Sequence, residues 1–214
     1  SDIPRRVPQA DAAERWLREM INALNARIAE SPDGKEWLLL RAKIFEAVGD
    51  LPSADADLAR VASLSLDLAR MVAIRHAKRG DWSRAAELLV KSKDADPDRA
   101  MGYLLAAPAL IQAGRIAEYR QLAAEGLDRY REDWRGPLAH RAEKAVKACL
   151  LMPNVVDEPQ SLVELMGRVI ATHPEVSLSR WFLVTRGMAA YRTGDHEGAL
   201  NCLTRARLQK GIGA

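Results

Sequence analysis

The residues in this sequence that could do chemistry are few, and their spacing argues against most of it. Asp55 with Asp57, and Asp96 with Asp98, offer the paired carboxylates that acid–base work or a divalent cation would use. Asp96 and Asp98 flank Pro97, where Asp favours a cap and Pro a stop, so a turn between helices accounts for them. The four histidines, His76, His140, His173 and His196, are scattered, with no pair at helical ligand spacing, so no metal site is expected. Cys149 and Cys202 sit in apolar helical patterns and read as buried free thiols of a reducing compartment. His140-Arg141-Ala142 lacks the Asp of a phosphotransfer loop, and neither a Gly-rich nucleotide loop nor Asp-Phe-Gly is present. Gly211-Ile212-Gly213 is a lone tail. No nucleophile–base set emerges, so the sequence predicts no catalytic residue, no cofactor and no enzyme.

Charge and composition narrow the alternatives. The 32 basic and 29 acidic side chains leave a net charge of only +3, spread along the chain, which does not suit a nucleic-acid binder with one basic face. The densest basic group, Arg75, Lys78, Arg79 and Arg84, reads as a solvated helix end and turn. No apolar stretch approaches the roughly 20 residues of a membrane span. The chain begins Ser-Asp-Ile-Pro, without Met or a signal peptide, and reads as an excised fragment of a cytoplasmic protein. At 48% hydrophobic it can bury a core, and its Ala-, Leu- and Arg/Glu-rich stretches favour helix, while period-two runs of Val, Ile and Thr are missing.

The elements themselves repeat. Gly49-Asp50, Gly80-Asp81 and Gly194-Asp195 recur, with Gly114-Arg115 as a variant. Gly80 and Gly114 stand 34 residues apart, and Gly49 and Gly80 stand 31 apart. Each glycine follows an apolar helical pattern, and five residues later Ala54, Ala85 and Ala199 supply a small side chain; Tyr119 breaks that rule. Gly can end a helix in the left-handed conformation, and the small residue lets the next helix fold back closely. Asp50, Asp81 and Asp195 are placed to cap the second helix of each pair. His76 falls on the face that packs inside a pair, and Trp82 and Trp181 are expected to pack between helices. Tyr191 is expected as the large packing residue one turn beyond Gly187. Pro108 should kink the helix that contains it. Residues 11–30 form one amphipathic helix with Trp16, Leu17, Met20, Leu24 and Ile28 on one face. Helices over 137–151 and 159–172 are separated by a long loop, Met152 to Glu158. About eleven helices in five pairs are expected.

The 34-residue period, with Trp181, Leu183, Gly187, Tyr191, Gly194-Asp195, Ala199, Leu203 and Ala206 in register, resembles the tetratricopeptide (TPR) repeat. The resemblance implies an all-α, right-handed superhelical solenoid of about five antiparallel helix pairs. It would occupy residues 9–210 as one domain, with a disordered or tag-proximal tail at 1–8 and a frayed C-terminus at 211–214. Tyr119-Arg120 with Leu122, His140 to Lys144, Lys147 to Pro153 and Ala190 to Gly194, together with Gly80-Asp81-Trp82 and Ala95 to Asp98, look like the C-terminal TPR region of multidomain Ser/Thr protein kinases and related signalling proteins of planctomycete-type bacteria.

In such a solenoid the first helix of each pair lines a concave groove. The register then gives Leu39 and Lys43; Arg70, Ile74 and Lys78; Leu104 and Pro108; and Val184, Met188 and Arg192 as the partner-binding stripe. Apolar with basic punctuation, this stripe suits an extended or helical peptide with apolar anchors and acidic residues. Leu39 and Leu40 stand where the Lys/Asn clamp for acidic chaperone C-termini would need charged or amide groups. The resemblance therefore implies a protein-interaction scaffold, or alternatively a cis-acting regulatory or substrate-docking segment of a larger kinase. The expected partner is a protein or peptide, with self-association possible, and neither nucleic acid nor membrane.

Overall fold

Helix and turn chemistry decide this architecture. The computed structural model describes residues 8–94, 99–135, 138–172 and 180–208. Within them are eleven α-helices: α1 (Pro8–Glu30), α2 (Lys35–Val48), α3 (Leu51–Leu64), α4 (Leu66–Lys78), α5 (Trp82–Lys91), α6 (Arg99–Gln112), α7 (Ile116–Tyr130), α8 (Ala139–Leu150), α9 (Pro159–Thr172), α10 (Arg180–Arg192) and α11 (His196–Leu208). A 3-10 turn at Arg131–Arg135 follows α7. The described residues contain no strand, and none of their helices is long and apolar enough to cross a membrane. The fold is all-α and built of antiparallel helix pairs. Asp96 to Asp98, His173, Pro174 and the tail glycines lie outside the described residues.

The four predicted turns share one mechanism. Gly49, Gly80, Gly114 and Gly194 have φ of +82°, +82°, +73° and +83°. In each, the glycine N–H reaches back three residues and the next N–H reaches back five, as in Gly49 N to Glu46 O (3.2 Å) and Asp50 N to Phe45 O (2.9 Å). This satisfies carbonyls that the helix end would otherwise leave unpaired. The following Asp then caps the next helix: Asp50 accepts from Ser53 N, Asp81 from Arg84 N and Asp195 from Gly198 N. Arg115 cannot cap in this way and instead pairs with Glu118 one turn on, holding that carboxyl below its usual range. Ala54, Ala85 and Ala199 are all buried.

The chain divides into two compact units, Ser1–Arg75 and His76–Ala214. In the first, α2 packs on α1 and α3 around Leu24, Ile28, Leu38, Ala42, Leu58 and Val61. Asp57 lies on the buried stripe of α3 and receives a two-pronged bond from Arg41, 2.9 Å from Nε and 2.6 Å from Nη2. Arg41 Nη1 reaches Asn25 on α1, so one guanidinium joins three helices. The hydrogen bonds to Asp57 hold Arg41 above its ordinary pKa. Arg75 joins α4 to Glu46 of α2 at 2.7 Å.

In the second unit, α6 packs on α5, α7 and α8, and α10 packs on α8, α9 and α11. Pro108 is exposed, and α6 continues past it as one helix. Tyr119, where a small residue was expected, is fully buried. Its hydroxyl donates to Ala148 O (2.9 Å) and accepts from Met152 N (3.2 Å), so it stands in for the next intrahelical bond beyond the end of α8. Residues 151–158 then leave the helical path, with Asn154 at φ +58°.

Candidate functional site

Three polar clusters qualify as chemistry on paper, and the structure uses each for architecture. His76 is buried at the end of α4, its Nδ1 lying 3.2 Å from Asp81 Oδ2 and 3.0 Å from Arg79 Nη2. Cys149 is buried with its Sγ 3.4 Å from Ala123 O, and burial pushes its thiol up to about 12. A group so far above neutrality supplies almost no thiolate nucleophile. The third cluster binds the turn after α5 to α6 and α7. Lys93 reaches Asp94 and Glu125 (both 3.0 Å), Tyr103 donates to Glu125 (2.6 Å), and Arg129 reaches Asp94 (2.7 Å). Burial works against the Lys93 charge, but hydrogen bonds to Glu125 and Asp94 outweigh it and hold its pKa above the ordinary value. Burial likewise opposes ionisation of Glu125, and the bonds from Tyr103 and Lys93 reverse that. Two cations meet two carboxylates here, which is a closed lock between helices.

The predicted stripe divides between the two units. In the first, α2 and α4 are tied by the Glu46–Arg75 pair. Ile74 is exposed, 41% of its surface reaching solvent, and Met71 and Leu40 are exposed at the neighbouring positions. Lys43 is exposed, while Leu39 and Arg70 are half-buried. In the second unit Lys78 and Pro108 are exposed, and Leu104, Val184, Met188 and Arg192 are half-buried.

Met188 and Arg192 meet in one hollow of about 170 Å³, lined with Leu150 of α8, Gly187 and Tyr191 of α10, and Leu203 of α11. Its depth depends on Gly187. A Cβ there would stand 3.0 Å from Leu203 Cγ and 3.3 Å from Ala199 O, so only the bare backbone lets α11 approach this closely. Arg192 was expected as a basic flank and is partly spent on the fold. Nε and Nη2 both donate to Leu150 O (3.3 and 3.0 Å), and Nη2 also reaches Leu151 O (3.3 Å). These are carbonyls at the end of α8, where a cation also meets the negative end of the helix dipole.

Two packing expectations fail. Trp181 is 63% exposed, because it occupies the first turn of α10, where its ring takes the Lys147 ammonium at 5.2 Å. Tyr191 is 58% exposed and lies against His196, with ring centroids 5.5 Å apart, across the Gly194 turn. Leu150, Leu203 and Tyr191 were missed as lining residues. The signal for Tyr191 was present, since it lies three residues from Met188 and so on an adjacent face. Leu150 and Leu203 come from other helices and carry no local mark. Trp134 is half-buried, with the guanidinium groups of Arg135 and Arg168 lying 5.0 and 5.3 Å from its ring.

No protein-family model matches the chain, and no curated protein matches it. Among solved structures it is similar to "Crystal structure of MamA", at 14% identity over 96% of this chain and 95% of that one, with a TM-score of 0.42. It is also similar to "Crystal structure of YrrB: a TPR protein with an unusual peptide-binding site", at 12% identity over 86% of this chain and 90% of that one, with a TM-score of 0.47.

Proposed function

We propose that this chain is a protein-interaction scaffold rather than an enzyme, taking a peptide or protein segment on the partner-binding stripe of its first-of-pair helices. The observation that carries the reading is the hollow beside Met188, built from three helices and open on a stripe where the helix pair itself requires no apolar group. Ile74, Met71 and Leu40 offer a second apolar surface in the first unit. Removing such groups from water is favourable by about 25 cal/mol per Å² before the costs of ordering the partner. Lys43 and Lys78 supply exposed positive charge that speeds the encounter with an acidic partner and makes it salt-sensitive.

A second reading, docking in cis of a segment from a kinase domain joined to this chain, is favoured by the irregular loop 151–158, which bears the Pro153 segment of the kinase-linked resemblance. The two part on whether the isolated chain binds foreign peptides or only that domain. Random peptides displayed on phage and selected against the chain provide the test. Selected peptides should lose at least tenfold in affinity to the Ile74→Glu, Met188→Glu double variant while its circular dichroism and melting stay unchanged. Affinity within twofold of the parent would overturn the reading.

A further inference from the structure

We infer that the hollow beside Met188 is a subsite for one apolar side chain followed by a carboxylate, and that Arg192 Nη1 receives that carboxylate. The inference rests on the scaffold reading above and names what its second-unit surface takes. At about 170 Å³, the hollow is close to the cavity of about 150 Å³ that holds a benzene ring in another protein, so it suits a single leucine- or phenylalanine-sized group. Leu150, Met188 and Leu203 give it apolar walls, and Gly187 leaves its floor open.

Charge selects what lies beside that group. Helices α8 and α10 carry six lysines and arginines against one carboxylate, Glu143. Glu143 is buried and already engaged, receiving the Thr185 hydroxyl at 2.5 Å and the Lys147 ammonium. No acidic side chain lines the hollow. Arg192 is held by the Leu150 and Leu151 carbonyls through Nε and Nη2, which fixes the plane of its guanidinium before any ligand arrives. Its recorded hydrogen bonds run through Nε and Nη2 and leave Nη1 without an acceptor among the described residues, and Arg192 lines the hollow as its cation. A carboxylate there gains a charge-assisted hydrogen bond at about 2.7–2.9 Å without a further loss of arginine freedom.

N-acetyl-leucine and N-acetyl-leucinamide separate the two parts, since they share the side chain and differ in the carboxylate. The readout is nuclear magnetic resonance of the Met188 methyl and the Gly187 amide of the whole chain during titration with each compound. N-acetyl-leucine should shift both signals saturably in the millimolar range and the amide at least fivefold more weakly. Leu203→Trp, which fills the hollow from a surface-exposed position, should abolish both responses. Equal binding of acid and amide, or shifts elsewhere with Met188 silent, would overturn the inference. If neither compound binds while display-selected peptides still depend on Met188, the subsite falls and the scaffold reading stands. If N-acetyl-leucine binds as expected and no peptide is ever selected, the subsite stands and the scaffold reading falls.

Discussion

Replacing Tyr119 with phenylalanine removes one oxygen atom and should destabilise the second unit by about 2 kcal/mol. The hydroxyl bridges Ala148 O and Met152 N at 2.9 and 3.2 Å, and no water can take its place at a fully buried position. Each net hydrogen bond contributes about 1 kcal/mol, and a buried partner left unsatisfied costs about 1–3 kcal/mol. The loss is bounded because Met152 N can move to bond Ala148 O directly, continuing α8 by a residue. That movement would shift the Leu150 and Leu151 carbonyls that hold Arg192. Thermal unfolding should fall by about 4–8 °C, and the Met152 amide should exchange with solvent faster. The pH dependence provides a second signature. Burial raises the Tyr119 hydroxyl from 10.0 to about 12 in the folded chain. A raised folded value means its stabilisation is complete below pH 10 and is lost as pH climbs toward 12. The phenylalanine variant should lack that component of the alkaline decline. A change under about 0.5 kcal/mol with unchanged Met152 exchange, well below the hydrogen-bond value, would refute the bridging role.

Three further outcomes are expected. Asp57→Ala strands the Arg41 guanidinium among three helices and should cost the first unit about 3 kcal/mol, the low end for a broken buried pair because Arg41 retains some access to water; urea unfolding checks it, and a loss under about 1 kcal/mol would be too small for a buried pair. Gly80→Ala meets no atom within 4 Å, so its cost should be the backbone strain alone at φ +82°, about 1–2 kcal/mol by the same measurement. Iodoacetamide at pH 8 should alkylate Cys149 far more slowly in the folded chain than in guanidinium chloride, since a thiol raised from 9.0 to about 12 carries roughly a thousandfold less thiolate; comparable rates would contradict its burial.

The parts of the fold that were legible in the sequence are those fixed by local chemistry. A left-handed turn needs glycine, a helix start needs a cap and a close helix contact needs a small residue, so Gly80, Asp81 and Ala85 announce their roles within six positions. Tyr119 did not, because its role depends on α8 ending where it does, 29 residues later. Asp57 was read as half of an acidic pair with Asp55. Its place among Ala54, Leu58 and Val61 on the buried face of α3 already required a cation, which Arg41 provides. The site was half legible. Helical spacing brought out Ile74, Met188 and Arg192, but the hollow needs Leu150 and Leu203, contributed by two other helices. Exposed Trp181 and Tyr191 show the limit of register arguments at the ends of a helix, where half the neighbours of an interior position are missing.

The central claim is that partners dock on the first-of-pair helices, and photo-cross-linking tests it most directly. A display-selected peptide carrying benzophenone at its apolar anchor would be irradiated on the intact chain and the attachment point read by mass spectrometry. The account predicts cross-links at Leu40, Met71 or Ile74 in the first unit, or at Met188 or Tyr191 of α10, beside the hollow of the second. Cross-links confined to α3, α5, α9 or the loop at 151–158 would contradict it.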